Sequence, residues 1–199
     1  GRSLFGRGKI INKNSDLKMI IFGPIPSRRL GRSLGINNIP PKVCSYSCIY
    51  CQIGATDAMS ISRKEYFSTD DIFKEVAAKI QQLQKNGEKI DYLTFVPDGE
   101  PTLDINLGRT IERLKPLGIK IAVITNSSLI WDKNVQNDLM KADWVSVKID
   151  SVYEDIWMKI NRPHGLLKLQ KIIDGIKDFA SSFNGILATE TMLVKGIND

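Results

Sequence analysis

All three cysteines of this 199-residue chain, Cys44, Cys48 and Cys51, fall within the single stretch CSYSCIYCQIG at residues 44 to 54. Their spacing is C-x3-C-x2-C. Thiolates this close in sequence can meet at one centre without help from distant parts of a fold, and soft sulfur donors suit zinc or an iron–sulfur cluster. Structural zinc normally closes a tetrahedron with four protein ligands. The one histidine, His164, lies far downstream beside Pro163 and reads as a loop residue. A cubane [4Fe–4S] cluster held by three cysteines leaves one iron open, which implies chemistry rather than scaffolding. Structural cysteines acting as small apolar residues have no reason to cluster like this.

The rest of the chain has the composition of one soluble domain, 42% hydrophobic and 25% charged. No apolar run approaches the roughly 18 residues of a membrane helix, and no secretory signal opens the chain. A cytoplasmic, reducing location follows as the expectation, in which clustered cysteines are metal ligands and not disulfides. Net charge is +6, unevenly spread: residues 1 to 42 carry nine Lys or Arg against Asp16 alone. Residues 1–19 read as a basic leader or arm, with Met19 a natural start, ahead of a domain at 20–199. The basic segment suits an acidic partner such as tRNA or a phosphorylated substrate. Arg28, Arg29 and Arg32 suit a phosphate or carboxylate through the guanidinium fork, or would close an open side of the fold.

Residues 20–35 mix apolar residues with Gly23, Pro24, Pro26, Gly31 and Gly35, an extended arm with turns. Strands are expected at 34–39, 89–96, 119–126, 142–150 and 185–194. Between them come helices, the first opened by Ser68 with Asp71 three residues on and closed by Gly87. A second carries Ile105, Leu107, Ile111 and Leu114, a third spans 131–141, and two more lie near 152–160 and 165–180. The last of these would bury Leu166, Leu169, Ile173, Ile176 and Phe179. Nearly continuous apolar strands alternating with amphipathic helices predict an α/β fold with a parallel sheet, open or curved into a partial barrel. Ligands of such sheets bind at the C-terminal strand ends. There stand Asp98, Gly99 and Glu100, then Thr125, Asn126 and Ser127, then Lys148 and Asp150, then Lys195, Gly196 and Asn198. Glu100 would equally serve as a helix cap, and Trp131, Trp144 and Trp157 read as packing.

CSYSCIYC resembles the signature of the radical S-adenosylmethionine (radical SAM) superfamily. GEPTL at 99–103 is similar to that family's glycine-rich motif, and ETMLVKGIND at 190–199 to a late barrel strand and turn. FGPIPSRRLGRSLG at 22–35 resembles small Fe–S oxidoreductases related to the wybutosine-forming tRNA enzymes. The resemblance implies a partial (β/α)6 barrel whose last helix and strand would follow Asp199. It implies a [4Fe–4S] cluster on Cys44, Cys48 and Cys51, with S-adenosylmethionine (SAM) on the fourth iron. Gly99 and Glu100 would meet the SAM amino group, Asn126, Lys148 and Asp150 its ribose or carboxylate, and the backbone near Tyr50 and Ile53 its adenine. Asp98 departs from the family's commoner glycine, and Lys148 from its commoner serine. The implied activity is reductive SAM cleavage to a 5′-deoxyadenosyl radical that abstracts hydrogen, with an electron donor such as a flavodoxin or ferredoxin. RNA modification leads among the roles, and a glycyl-radical-enzyme activase, with a protein as its substrate, is the alternative. A non-catalytic Fe–S or zinc module that binds nucleic acid leaves GEPTL unexplained.

Overall fold

The computed structural model describes residues 20–199, so the leader expected at 1–19 lies outside the described residues. The chain opens with a hairpin, β1 (Ile21–Ser27) antiparallel to β2 (Gly31–Ile36). Two short parallel strands, β3 (Val43–Cys44) and β4 (Ala58–Met59), then bracket the cysteine stretch. Helix α1 (Thr69–Lys85) starts where the sequence places it: the Ser68 hydroxyl accepts from Asp71 N at 3.1 Å. Asp70 and Asp71 favour the positive end of its dipole. Ile72, Val76, Ile80 and Leu83 form its buried stripe, and Gly87, at φ +71, lets the chain turn away.

Strands and helices then alternate, with two helices before the last strand: β5 (Tyr92–Phe95), α2 (Leu107–Leu114), β6 (Lys120–Thr125), α3 (Lys133–Leu139), β7 (Trp144–Lys148), α4 (Glu154–Asn161), α5 (Leu169–Ser182) and β8 (Ile186–Glu190). The six-stranded sheet runs β1-β2-β5-β6-β7-β8, parallel throughout except for β1. Alternate strand residues sort to its two faces. Leu93, Phe95, Ile121, Val123, Val145 and Val147 are fully buried in the main core with the helices' apolar stripes. On the other face Ala122 and Trp144 pack against Leu30 from the β1–β2 turn. That turn also sends Arg29 to an ion pair with Glu190 of β8. Four strand spacings, about 19 Å of flat sheet at about 4.8 Å each, separate β2 from β8, more than the two side chains span together. The sheet therefore curls, and the hairpin turn lies over its concave face, as a partial barrel requires.

Local expectations shift in places. The first predicted strand, 34–39, runs instead from Gly31 to Ile36, because Asn38 leaves the ladder to bond Pro101 O and Asp104 Oδ2. The arm at 21–27 is a true strand. Its Pro24 and Pro26 are tolerated because β1 is an edge. Ile105 does not belong to the second helix: Pro101–Leu103 forms a 3-10 turn, α2 starts at Leu107 and Ile105 is exposed. Leu166 is also exposed, ahead of α5, whose stripe is Leu169, Ile172, Ile176 and Phe179, with Ile173 half-buried.

Candidate active site

The cysteine loop leaves β3 at Cys44 and is clamped from two sides. On one side the turn after β5 holds it: Lys42 N donates to Asp98 O at 2.6 Å, and Glu100 N to Val43 O at 3.1 Å. On the other, the end of α4 accepts from Ser47 N and Ile49 N through Asn161 O and Ile160 O at 3.0 and 2.9 Å. His164 N adds a bond to Ser45 O at 2.9 Å, and Trp157 meets Tyr46 edge-on and donates to its hydroxyl at 3.2 Å. All three cysteines are half-buried and unpaired with each other. Within the loop, Cys51 N bonds Cys48 O and Gly54 N bonds Cys51 O, so the backbone winds in tight turns between ligands.

Gly99 explains why this clamp closes. A Cβ there would overlap the Val43 carbonyl oxygen, so a residue without one lets the two loops touch. The close approach is therefore to the cysteine loop itself. Glu100 is 1% exposed. Its Oε1 accepts from Thr102 N at 3.0 Å and from the hydroxyls of Thr102 and Thr125 at 2.6 Å each, and its Oε2 from Asn126 N at 2.7 Å. Burial pushes its carboxyl pKa up, and the four donors pull the other way. The cap reading of Glu100 holds, and its carboxylate has a second task within the protein. It closes the 3-10 turn and also fixes Asn126, whose Nδ2 lies 3.4 Å from Cys44 Sγ and 3.0 Å from Ser45 Oγ.

The second cysteine has a matching partner that no sequence motif marks. Asn161, the last residue of α4, donates from Nδ2 toward Cys48 Sγ at 3.4 Å and to Asp150 Oδ2 at 2.6 Å. Asp150, buried, also accepts from the Tyr50 hydroxyl and from Met192 N at 2.8 Å, with Lys148 Nζ at 3.6 Å. Lys148 Nζ sits 4.9 Å from the centre of the Tyr50 ring. Asn198 Nδ2 reaches Asp150 O at 2.8 Å. Tyr50, Lys148 with Asp150, and Asn198, from three separated stretches, are thus brought together beside Cys48. Ile53 is half-buried at the tail of the loop, and Lys195 and Gly196 are exposed in the turn after β8.

Iron binds thiolates, and the protein alone opposes them here: burial, followed by the Glu100 charge, pushes Cys44 up to about 12, and burial raises Cys48. A cationic cluster would supply the missing stabilisation, and the amides of Asn126 and Asn161 point hydrogen-bond donors at two of the sulfurs, the device by which proteins tune such clusters. Among the described residues no three His, Cys, Asp or Glu side chains converge on one ion-sized point. A cubane does not require that, since its three thiolates would bind three different irons. The donor set fits the group.

Comparison with known proteins bears on the fold and the family. A UPF0026 protein of Methanocaldococcus jannaschii is 57% identical over 178 residues, 89% of this chain and 55% of that protein. A GTP 3′,8-cyclase of Clostridium acetobutylicum is 29% identical over 160 residues, 78% of this chain and 46% of that one. The chain thus spans about half the length of these relatives. Among solved structures, TYW1 with a lysine-pyruvate adduct bound superposes with a TM-score of 0.58 over 84% of this chain and 57% of that one, at 15% identity, which speaks to the fold. Among the described residues no helix is long and apolar enough to cross a membrane. The family model described as Radical SAM superfamily matches residues 38–199, from just before the cysteine loop to Asp199, and the chain belongs to that superfamily.

Proposed function

We propose that this chain is an enzyme that cleaves SAM reductively and uses the resulting 5′-deoxyadenosyl radical to take hydrogen from an RNA substrate. The observation that carries this reading is the meeting of three separate stretches at one sheet edge: the cysteine loop, the Gly99–Glu100 turn and Asn126, joined by main-chain and carboxylate hydrogen bonds. Cys44, Cys48 and Cys51 would hold a [4Fe–4S] cluster, which when bound would supply the single electron for reductive SAM cleavage. Asn126 and Asn161 orient donors at Cys44 and Cys48. Gly99 keeps the turn against the loop, leaving its main chain to face the SAM amino group, while Glu100 holds Asn126 in place. Lys148 and Asp150 stand ready for the SAM carboxylate or ribose, and the backbone at Tyr50 and Ile53 lines the adenine. A flavodoxin or ferredoxin delivers the electron.

RNA is favoured by the basic N-terminal stretch and by the resemblance of residues 22–35 to the wybutosine-forming tRNA enzymes. The cyclase relative, by its name, acts on GTP, a substrate with the same phosphate chemistry. The test is anaerobic: after loading with iron and sulfide, SAM and a strong reductant are added and 5′-deoxyadenosine is assayed by chromatography. Its appearance in the native protein and loss in Cys44→Ala, Cys48→Ala and Cys51→Ala is the expected result. A fully loaded protein that forms none, alone and within a longer form of the chain, refutes the reading.

A further inference from the structure

The three arginines of the FGPIPSRRLGRSLG stretch have three different fates. Arg32, on β2, pairs with Glu88 and holds the loop after α1 to the sheet. Arg29, in the turn, pairs with Glu190 across the concave face. Arg28, beside it and exposed, has no hydrogen-bond or ion-pair partner among the described residues. Yet it lines a cavity of about 590 Å³ between the hairpin turn and the ends of β7 and β8. Arg29, Lys148 and Glu190 also line it, with the hydroxyl residues Ser27, Thr189 and Thr191.

Two features make this a receptor for one chemistry. Three cations face a single acid, so the lining is net positive, and the free guanidinium offers a planar fork of donors matched to two oxygens of an oxyanion. The volume lies within the range of roughly 300–1,000 Å³ typical of small-ligand sites, which leaves space for a nucleoside beside the anion. The position is also apt. Lys148 stands between the cavity and the ring of Tyr50, next in sequence to Cys51, so a ligand held by Arg28 is one side chain from the cysteine loop.

We propose that this cavity binds the phosphate group of a nucleotide, anchored by Arg28 and assisted by Arg29, with Glu190 competing for Arg29 when no phosphate is present. The assignment rests on the function proposed above for the meaning of the bound nucleotide, though not for the binding itself.

The experiment is equilibrium dialysis of the cluster-loaded protein, without SAM or reductant, so that a failure of SAM cleavage and a failure of this site are read separately. The probes are inorganic phosphate, adenosine 5′-monophosphate, a short single-stranded oligoribonucleotide and acetate. Phosphate probes should bind more tightly than acetate. Arg28→Gln should weaken them about tenfold, the scale of one charge-assisted hydrogen bond lost. Glu190→Gln should act in the opposite direction, tightening them a few-fold by releasing Arg29, which a merely structural role for the pair would not do. Arg113→Gln, removing a cation that faces Phe73 and Asp70 instead, should leave binding unchanged. Comparable gains for the mononucleotide and the oligonucleotide identify a free nucleotide as the source of the phosphate. A gain confined to the oligonucleotide identifies RNA. Acetate binding as tightly as phosphate, or Arg28→Gln and Arg113→Gln behaving alike, overturns the proposal.

Discussion

Asp104 shows how much a single side chain near the site can govern. It is fully buried and accepts from Asn38 Nδ2 at 3.1 Å and from Asn106 N at 2.9 Å. Burial pushes its carboxyl up to about 6, although these donors and nearby Arg63 pull it down. A carboxyl raised in the folded state takes up its proton more readily there than in the unfolded chain. The stability it contributes is therefore present below the ordinary carboxylate range and lost as pH rises through about 6. Asp104→Asn removes the titration. It should flatten the fall in unfolding free energy between about pH 4 and pH 6 by about 3 kcal/mol, measured by urea unfolding at several pH values. Glu100, raised in the same sense, accounts for slope that remains. An unchanged slope in the variant would show that Asp104 is not the group titrating. Glu100 is locally legible, because it lies inside the GEPTL motif; Asp104, one residue beyond it, carries no such mark. Nor is Asn161 legible, because an asparagine ending a helix has no local signature, and its sulfur partner is 113 positions away.

Elements reveal which signals survive folding. Strands β5 to β8 were legible because parallel strands are rich in apolar and β-branched residues, β5 to β7, the most buried of them, above all. Their observed ends fall inside the expected ranges, since the polar residues at the tips leave the ladder for the site. Strand β1 was hidden, because Gly23, Pro24 and Pro26 break its apolar run and only its edge position excuses them. Helix α1 was the clearest, its cap and its stripe agreeing. Ser68→Ala leaves Asp71 N without its acceptor and should lower stability by about 1 kcal/mol in denaturant titration, with iron content per chain unchanged. Loss of iron in that variant would mean that α1 supports the cysteine loop more directly than their separate contacts indicate.

For the molecule as a whole, protection should grade outward from the sheet centre. β5, β6 and β7 are bonded on both sides and covered by helices, whereas β8 is an edge strand with Ile186 exposed, followed by a turn-rich stretch with Leu193 exposed. Local opening is easiest where few buried contacts oppose it. Hydrogen exchange read by mass spectrometry should find peptides from β5 to β7 slowest, and those from 186–199 faster by orders of magnitude. Uniform rates across the sheet would show that the chain opens only as one unit.

The clamp around the cysteine loop has a last consequence, one of timing during synthesis. Cys44, Cys48 and Cys51 leave the ribosome together, but Asn161, which points at Cys48, is encoded 113 positions later. At the usual pace of translation, about 5–20 residues per second, the thiols wait roughly 6 to 23 s before the end of α4 is made. For that interval they are bare to oxidants. The yield of loadable protein is thus set partly by the redox state of the cell while the chain is still being made.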